Sequence, residues 1–146
     1  MIFNAARRDG LIDDNPLEFI DAIKKVQSHS RRAFKVEELK RVLEACDAEW
    51  RSMVMCGLYT GQRLADTAML IWQNVDLTKS EIYMVTRKTK KRLTIPISPP
   101  LLRHLENLPS SDDPKAPIHP RSFQVVSSQK RTGTLSNQFS SILVKA

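Results

Sequence analysis

Two stretches of this 146-residue chain carry side chains suited to chemistry on a phosphate. In the first, Thr60-Gly61-Gln62-Arg63 is followed three residues later by Asp66. Gly61 reads as the end of one helix and Arg63 as the start of the next, where free backbone N–H groups and the helix dipole favour an anion. A guanidinium is always charged and donates as a planar fork, which fits two oxygens of a phosphodiester at once. Taken alone, Arg63 reads more readily as a surface arginine capping a turn. Asp66, one turn on, is stabilised by the dipole at a helix start whether or not it has a second task.

The second stretch is Arg87-Lys88-Thr89-Lys90-Lys91-Arg92. The net charge of +7 is unevenly spread. Residues 1–34 hold six basic and five acidic groups, residues 35–76 five and seven, and residues 77–146 twelve and four. The excess therefore sits in the second half and peaks at this run. Such a concentration suits a polyanion, because each phosphate neutralised releases condensed counterions. A lysine-rich turn that merely keeps a hairpin soluble gives the same pattern.

Other chemistries find little support. Cys46 and Cys56 lack the paired spacing of a zinc site and read as free thiols in apolar helical settings, so no metal is expected. No run of about 18 apolar residues marks a membrane span and no secretory signal is visible, so a soluble cytoplasmic protein is the expectation.

The elements that must position these residues follow from pattern. Residues 1–8 have helical composition, with Gly10 as a stop. Asn15-Pro16 offers a cap and a first helical residue for a short helix running to Ile23. Residues 24–35 are polar and basic and read as a linker. Leu39, Val42, Leu43 and Cys46 form an i, i+3, i+4, i+7 stripe. A helix over residues 49–59 would bury Trp50, Met53, Val54, Gly57 and Leu58, and another begins at Arg63. Residues 81–86 and 93–97 alternate as strands, with the basic run as their connection. Pro99-Pro100 opens a helix bearing Leu101, Leu102, Leu105 and Leu108. Residues 109–133, with four prolines, read as a long surface excursion. Ser136 would cap a last helix bearing Phe139, Ile142 and Leu143. The fold class expected is α+β, mainly helical with a small antiparallel β-sheet.

Residues 59–66, YTGQRLAD, with Leu70-Ile71-Trp72 and Val75-Asp76 behind them, resemble the signature of the tyrosine recombinases, the phage-integrase family. Residues 86–96, TRKTKKRLTIP, look like the family's β-hairpin, in which a lysine near the tip precedes an Ile-Pro pair. Ala5-Ala6 through Asn15-Pro16 is similar to the last helix of the family's core-binding domain, and Glu37-Glu38-Leu39 to the opening helix of its catalytic domain. The resemblance implies the end of a core-binding domain at residues 1–23, a linker at 24–35, and the first two-thirds of a catalytic domain at 36–146.

It also implies roles. In the family a tyrosine attacks a DNA phosphodiester, leaving a 3′-phosphotyrosyl link and a free 5′-hydroxyl. Arg63 matches the first of two arginines that stabilise the charge on the phosphate. Lys88, eight residues before Pro96, matches the general acid that protonates the leaving oxygen, though a hairpin one or two residues different would shift that role to Lys90. Lysine fits because it gives up a proton, which arginine hardly does. Asp66 matches an acidic residue that orients the arginine. Arg87, Thr89, Lys90, Lys91 and Arg92 are then expected to contact DNA.

The family's His-x-x-Arg pair and its nucleophile find no counterpart. Of the three histidines, His119-Pro120-Arg121 comes nearest, but its spacing is wrong and it reads as loop. Tyr59 and Tyr83 do not occupy the nucleophile's place. A truncated catalytic domain, inactive alone, is the expectation. The implied partner is double-stranded DNA, with self-association assembled on it and no small-molecule cofactor. The readings that compete are a non-catalytic DNA-binding or interaction module of the same fold, and a basic helical protein with no nucleic-acid role.

Overall fold

The computed structural model describes residues 2–20, 32–109, 111–129 and 132–146. It divides into two compact units, Met1–Ala33 and Phe34–Ala146. The first holds helix α1, Ile2–Arg8, which ends in the left-handed Gly10. Behind it the Asn15 side chain accepts the Leu17 N–H, and Arg7 pairs with Glu18. Residues 16–20 form turns, not the first part of the expected helix: Asn15 closes a turn with its side chain instead of launching one. Of the expected linker at 24–35, residues 24–31 lie outside the described residues, and 32–35 carry no helix or strand.

The second unit begins with α2, Val36–Ala45, in which Val42 is the fully buried member of the expected stripe. Asp47 caps α3, Ala48–Thr60, by accepting the Trp50 N–H at 2.9 Å. The buried face of α3 is Trp50, Ser52, Met53 and Cys56, rotated from the expected one, and Leu58 is exposed. The reason is a polar side chain: Ser52 can be buried because it finds a partner, as described below. Gly61 closes α3 in the left-handed conformation, its N–H bonded to the Gly57 carbonyl. Short helix α4, Leu64–Ala68, follows immediately.

A 3₁₀ turn at Trp72–Asn74 leads into a three-stranded antiparallel sheet of β1, Val75–Asp76, β2, Glu81–Val85, and β3, Arg92–Pro96, in that spatial order. Ile82 faces Ile95 and Met84 faces Leu93, so one face meets the core, while Tyr83 and Thr94 pair on the outer face. Pro99–Glu106 forms α5, with prolines at its first two positions and Leu101 and Leu105 buried.

Beyond α5 the structure departs from the expectation of a surface excursion. Residues 114–118 run beside the end of α4 and the 3₁₀ turn: Trp72 N–H bonds the Ala116 carbonyl, Gln73 N–H that of Pro114, and Ile118 N–H that of Leu70. The prolines do not obstruct this pairing. Pro114 serves through its carbonyl, and Pro120 sits at the first position of α6, Pro120–Gln129, where an N–H is not needed. Ser122 and Val126 of α6 are buried. Helix α7, Gly133–Lys145, starts before the expected cap, so Ser136 lies inside it and Leu135 is its buried residue.

The core has two parts. Cys56, Leu70, Ile82, Met84, Ile97, Leu101, Leu105 and Ile118 join α3, the sheet and α5. Trp50, Met53, Ala68, Val126 and Leu135 join α3, α4, α6 and α7, with Phe139 stacked on Trp50 at 5.7 Å.

Candidate nucleic-acid interface

Arg63 occupies the N-cap position of α4 in an extended conformation, directly after the left-handed Gly61. Thr60 fixes this corner, its hydroxyl bonding the Cys56 carbonyl at 2.6 Å and accepting the Gln62 N–H. The Arg63 side chain is exposed and has no hydrogen-bond or ion-pair partner among the described residues.

Asp66, by contrast, is only 3% exposed. Its Oδ1 accepts the backbone N–H of Arg87 at 2.8 Å, across 21 residues of sequence. The expected bond from Asp66 to the Arg63 guanidinium is not among the interactions of the described residues. The carboxylate instead pins the hairpin turn to α4, one residue from Lys88 and one helical turn from Arg63. A crevice of about 110 Å³ beside this bond is lined by Asp66, Met69, Leu70, Asn74, Met84, Val85 and Arg87.

The turn itself runs from Thr86 to Lys91. Thr86 N–H bonds the Lys91 carbonyl and Lys90 N–H bonds the Thr86 carbonyl, both at 2.9 Å. The Thr86 hydroxyl meets that of Thr89 at 2.6 Å and accepts the Lys91 N–H at 3.2 Å. Lys90 takes a left-handed φ of 55°. Arg87, Lys88, Thr89, Lys90, Lys91 and Arg92 are all exposed, whereas Thr86 is buried. The side chains of Arg87, Lys88, Lys90, Lys91 and Arg92 have no partner among the described residues. The structure therefore gathers the sequence-predicted residues into one region through Asp66, with Thr86 as a member that sequence reasoning missed. Its one signal was a second threonine three residues on, inside a turn.

His119, expected in a loop, is fully buried immediately before α6. Its Nδ1 lies 3.1 Å from the Thr67 carbonyl and its Nε2 3.0 Å from the Ser52 hydroxyl. The carbonyl can only accept, so Nδ1 carries the proton and Nε2 accepts from Ser52. Burial pushes this imidazole down to about 4, against the opposing pull of the Thr67 carbonyl and Glu49. The neutral ring is thus the form at neutral pH. Burial likewise pushes the Cys56 thiol up to about 12, which leaves it without nucleophilic character.

Glu49 supplies the other long-range contact. Its Oε1 accepts from the Ser122 N–H and hydroxyl, and its Oε2 from the Arg121 N–H and side chain, so α3 caps α6. Burial raises the Glu49 carboxyl, but these bonds outweigh it and hold the group below its ordinary range. Arg121 is further paired with Asp47 at 2.9 Å, which occupies its guanidinium within the protein.

The sequence matches the Phage integrase family over residues 32–146. The chain belongs to that family. A comparison with curated proteins finds no match. Among solved structures, the fold is similar to a crystal structure of XerA recombinase, with a TM-score of 0.57 and 22% identity over 85% of this chain and 45% of that one. It is similar too to the integrase from mycobacterium phage Brujita, with a TM-score of 0.53 and 19% identity over 90% of this chain and 48% of that one. The chain thus spans about half the length of these recombinases. Their fold agrees with the mainly helical α+β architecture and small antiparallel sheet expected from the sequence. Among the described residues no helix is long and apolar enough to cross a membrane.

Proposed function

We propose that this chain takes part in site-specific DNA recombination of the tyrosine-recombinase kind, with residues 36–146 forming the first part of a catalytic domain and residues 1–23 the end of a DNA-gripping one. Arg63 binds the non-bridging oxygens of the scissile phosphate, where a fixed guanidinium gains most as negative charge develops. Lys88 delivers a proton to the leaving 5′-oxygen. Arg87, Thr89, Lys90, Lys91 and Arg92 hold the flanking DNA backbone, contacts that set position rather than sequence preference.

The observation that carries this reading is the bond from Asp66 to the Arg87 N–H. It joins the two cationic stretches into one surface while leaving their charges unpaired, an arrangement that suits a phosphate and does little for stability. Neither tyrosine is the nucleophile in this reading. Tyr83 lies on the outer face of the sheet with its hydroxyl donated to Glu81, which pushes the phenol up to about 12. A catalytic tyrosine must instead be able to lose its proton to the reaction.

Two measurements test the proposal. In a salt series with duplex DNA, Arg63, Arg87, Lys88, Lys90, Lys91 and Arg92 each neutralising a phosphate give a slope of log affinity against log salt of about −5 to −6. A slope near zero removes the DNA role. On a nicked suicide substrate the chain forms no covalent adduct. An adduct would show that one of these tyrosines attacks after all.

A further inference from the structure

We infer that Thr86 is the positioning residue for Lys88, holding the hairpin turn in a single conformation before DNA arrives. This rests on reading Lys88 as the hairpin lysine that meets the phosphate. Thr86 is the one member of residues 86–92 that is buried, at 5% exposure, and it faces into the turn. Besides a long 3.5 Å contact of its hydroxyl with the Lys91 carbonyl, four hydrogen bonds converge on it: its N–H donates to the Lys91 carbonyl, its carbonyl accepts the Lys90 N–H, and its hydroxyl pairs with the Thr89 hydroxyl and accepts the Lys91 N–H. The last two depend on the side chain.

The backbone shows why the side chain matters. Lys90 is held at a φ of 55°, a conformation disfavoured for any residue with a Cβ. A strained residue persists only where its surroundings over-determine it. At Lys90 the restraints are the bonds to Thr86 on one side and to the Thr86-held Lys91 on the other. Asp66 fixes the opposite end of the turn through Arg87. Lys88 therefore sits between two anchored points, its own side chain free in solvent. Remove the Thr86 hydroxyl and the Asp66 anchor remains, but the Lys90–Lys91 end loses its side-chain bonds, so Lys88 must be ordered at the moment of binding.

Three variants of the full 146-residue chain test this: Thr86→Val, which keeps the shape and removes the hydroxyl, Thr86→Ser, which restores it, and Thr89→Val, which removes the hydroxyl's partner from the exposed side. Backbone amide relaxation by NMR is the first readout. Thr86→Val is expected to loosen the amides of residues 88–91 while the rest of the sheet keeps its order, Thr89→Val to loosen them less, and Thr86→Ser to match the parent. Rigid turn amides in Thr86→Val overturn the inference. Should Thr86→Val fail to fold, rigid turn amides in Thr89→Val overturn it equally.

Duplex-DNA affinity is the second readout. Thr86→Val is expected to weaken it roughly tenfold, the scale of re-ordering about one backbone residue, and Thr86→Ser to leave it within about twofold. In a Lys88→Ala background the Thr86→Val effect should shrink to the share carried by Lys90 and Lys91 in the same turn, since a residue acting through another is not additive with it. A full, additive loss in that background overturns the positioning role. If the parent chain binds no DNA at all, the proposed function fails, and the relaxation data still decide whether Thr86 orders the turn.

Discussion

Around His119 the polar groups face other protein groups, the buried Thr67 hydroxyl being the exception. The imidazole spans the Ser52 hydroxyl and the Thr67 carbonyl, and nearby Glu49 satisfies two backbone N–H groups, a hydroxyl and a guanidinium. Around the hairpin turn the hydroxyls and backbone are likewise engaged, but the cations of Arg63, Lys88, Lys90 and Lys91 are left to the solvent. Both regions are rich in residues that a list of catalytic side-chain types would flag. Only one has charge to spare. A polar cluster that satisfies itself supports the fold, whereas one that orders its backbone and leaves its charges open is prepared for a partner.

The comparison can be broken at several points. Replacing Lys88, Lys90 and Lys91 together with alanine should lower duplex-DNA affinity by roughly two orders of magnitude and flatten the salt slope by about 3. The same triple variant should change urea-unfolding stability by less than about 0.5 kcal/mol, as exposed unpaired side chains do. A large stability loss would mean these lysines belong to the fold.

The mirror-image experiment is His119→Ala. It leaves Ser52 and Thr67 without their partner and opens a cavity, so unfolding should lose about 3 kcal/mol. DNA affinity of the folded fraction, measured at low temperature, should stay within about twofold of the parent by the additivity of separated sites. A selective loss of affinity with stability intact would move His119 into the binding surface.

Acid should separate the two regions without mutation. The folded state holds the His119 imidazole at about 4, below its ordinary 6.5, so the unfolded chain binds the proton more readily between these values. Its stabilising contribution is complete above pH 6.5 and declines as pH falls towards 4. Between pH 6.5 and 5 the loss should be roughly 2 kcal/mol. Burial and Arg51 push half-buried His104 in the same direction, so chemical denaturation of His119→Ala beside the parent isolates the His119 share. Parallel pH profiles would refute it.

The smallest effect is expected at Lys90→Gly. Glycine relieves the left-handed backbone at 55°, against its greater freedom when unfolded, for a net gain of about 0.5 kcal/mol by thermal melting. A loss would mean that the Lys90 side chain supports the turn.

What the sequence made legible was local. Alternation in residues 81–86 and 93–97 gave the hairpin, Thr60-Gly61 gave the corner before Arg63, and Pro99-Pro100 gave the start of α5. What it hid was distant or backbone-borne. Ser52 and Thr67 meet His119 across 67 and 52 residues, which no spacing rule reaches. Prolines 114, 117 and 120 suggested loop because proline cannot donate, yet Pro114 pairs through its carbonyl, Pro117 lies opposite Ile71 with the bonds made by Ala116 and Ile118, and Pro120 begins a helix. The Asp66 bond was missed for a related reason. A carboxylate near an arginine suggests a charge pair, whereas here a backbone amide 21 residues on takes it.

Glu49 has a consequence in time as well as in space. The first backbone N–H groups of α6 are satisfied by a carboxylate 72 and 73 residues earlier in the chain. A helix whose cap is borrowed in this way is incomplete by itself, and closing so long a loop precedes any return from the contact. Synthesis from the N-terminus delivers the lender first. Residues 120–129 are synthesised after Glu49, so the carboxylate that caps α6 is already in the chain when that helix can first form.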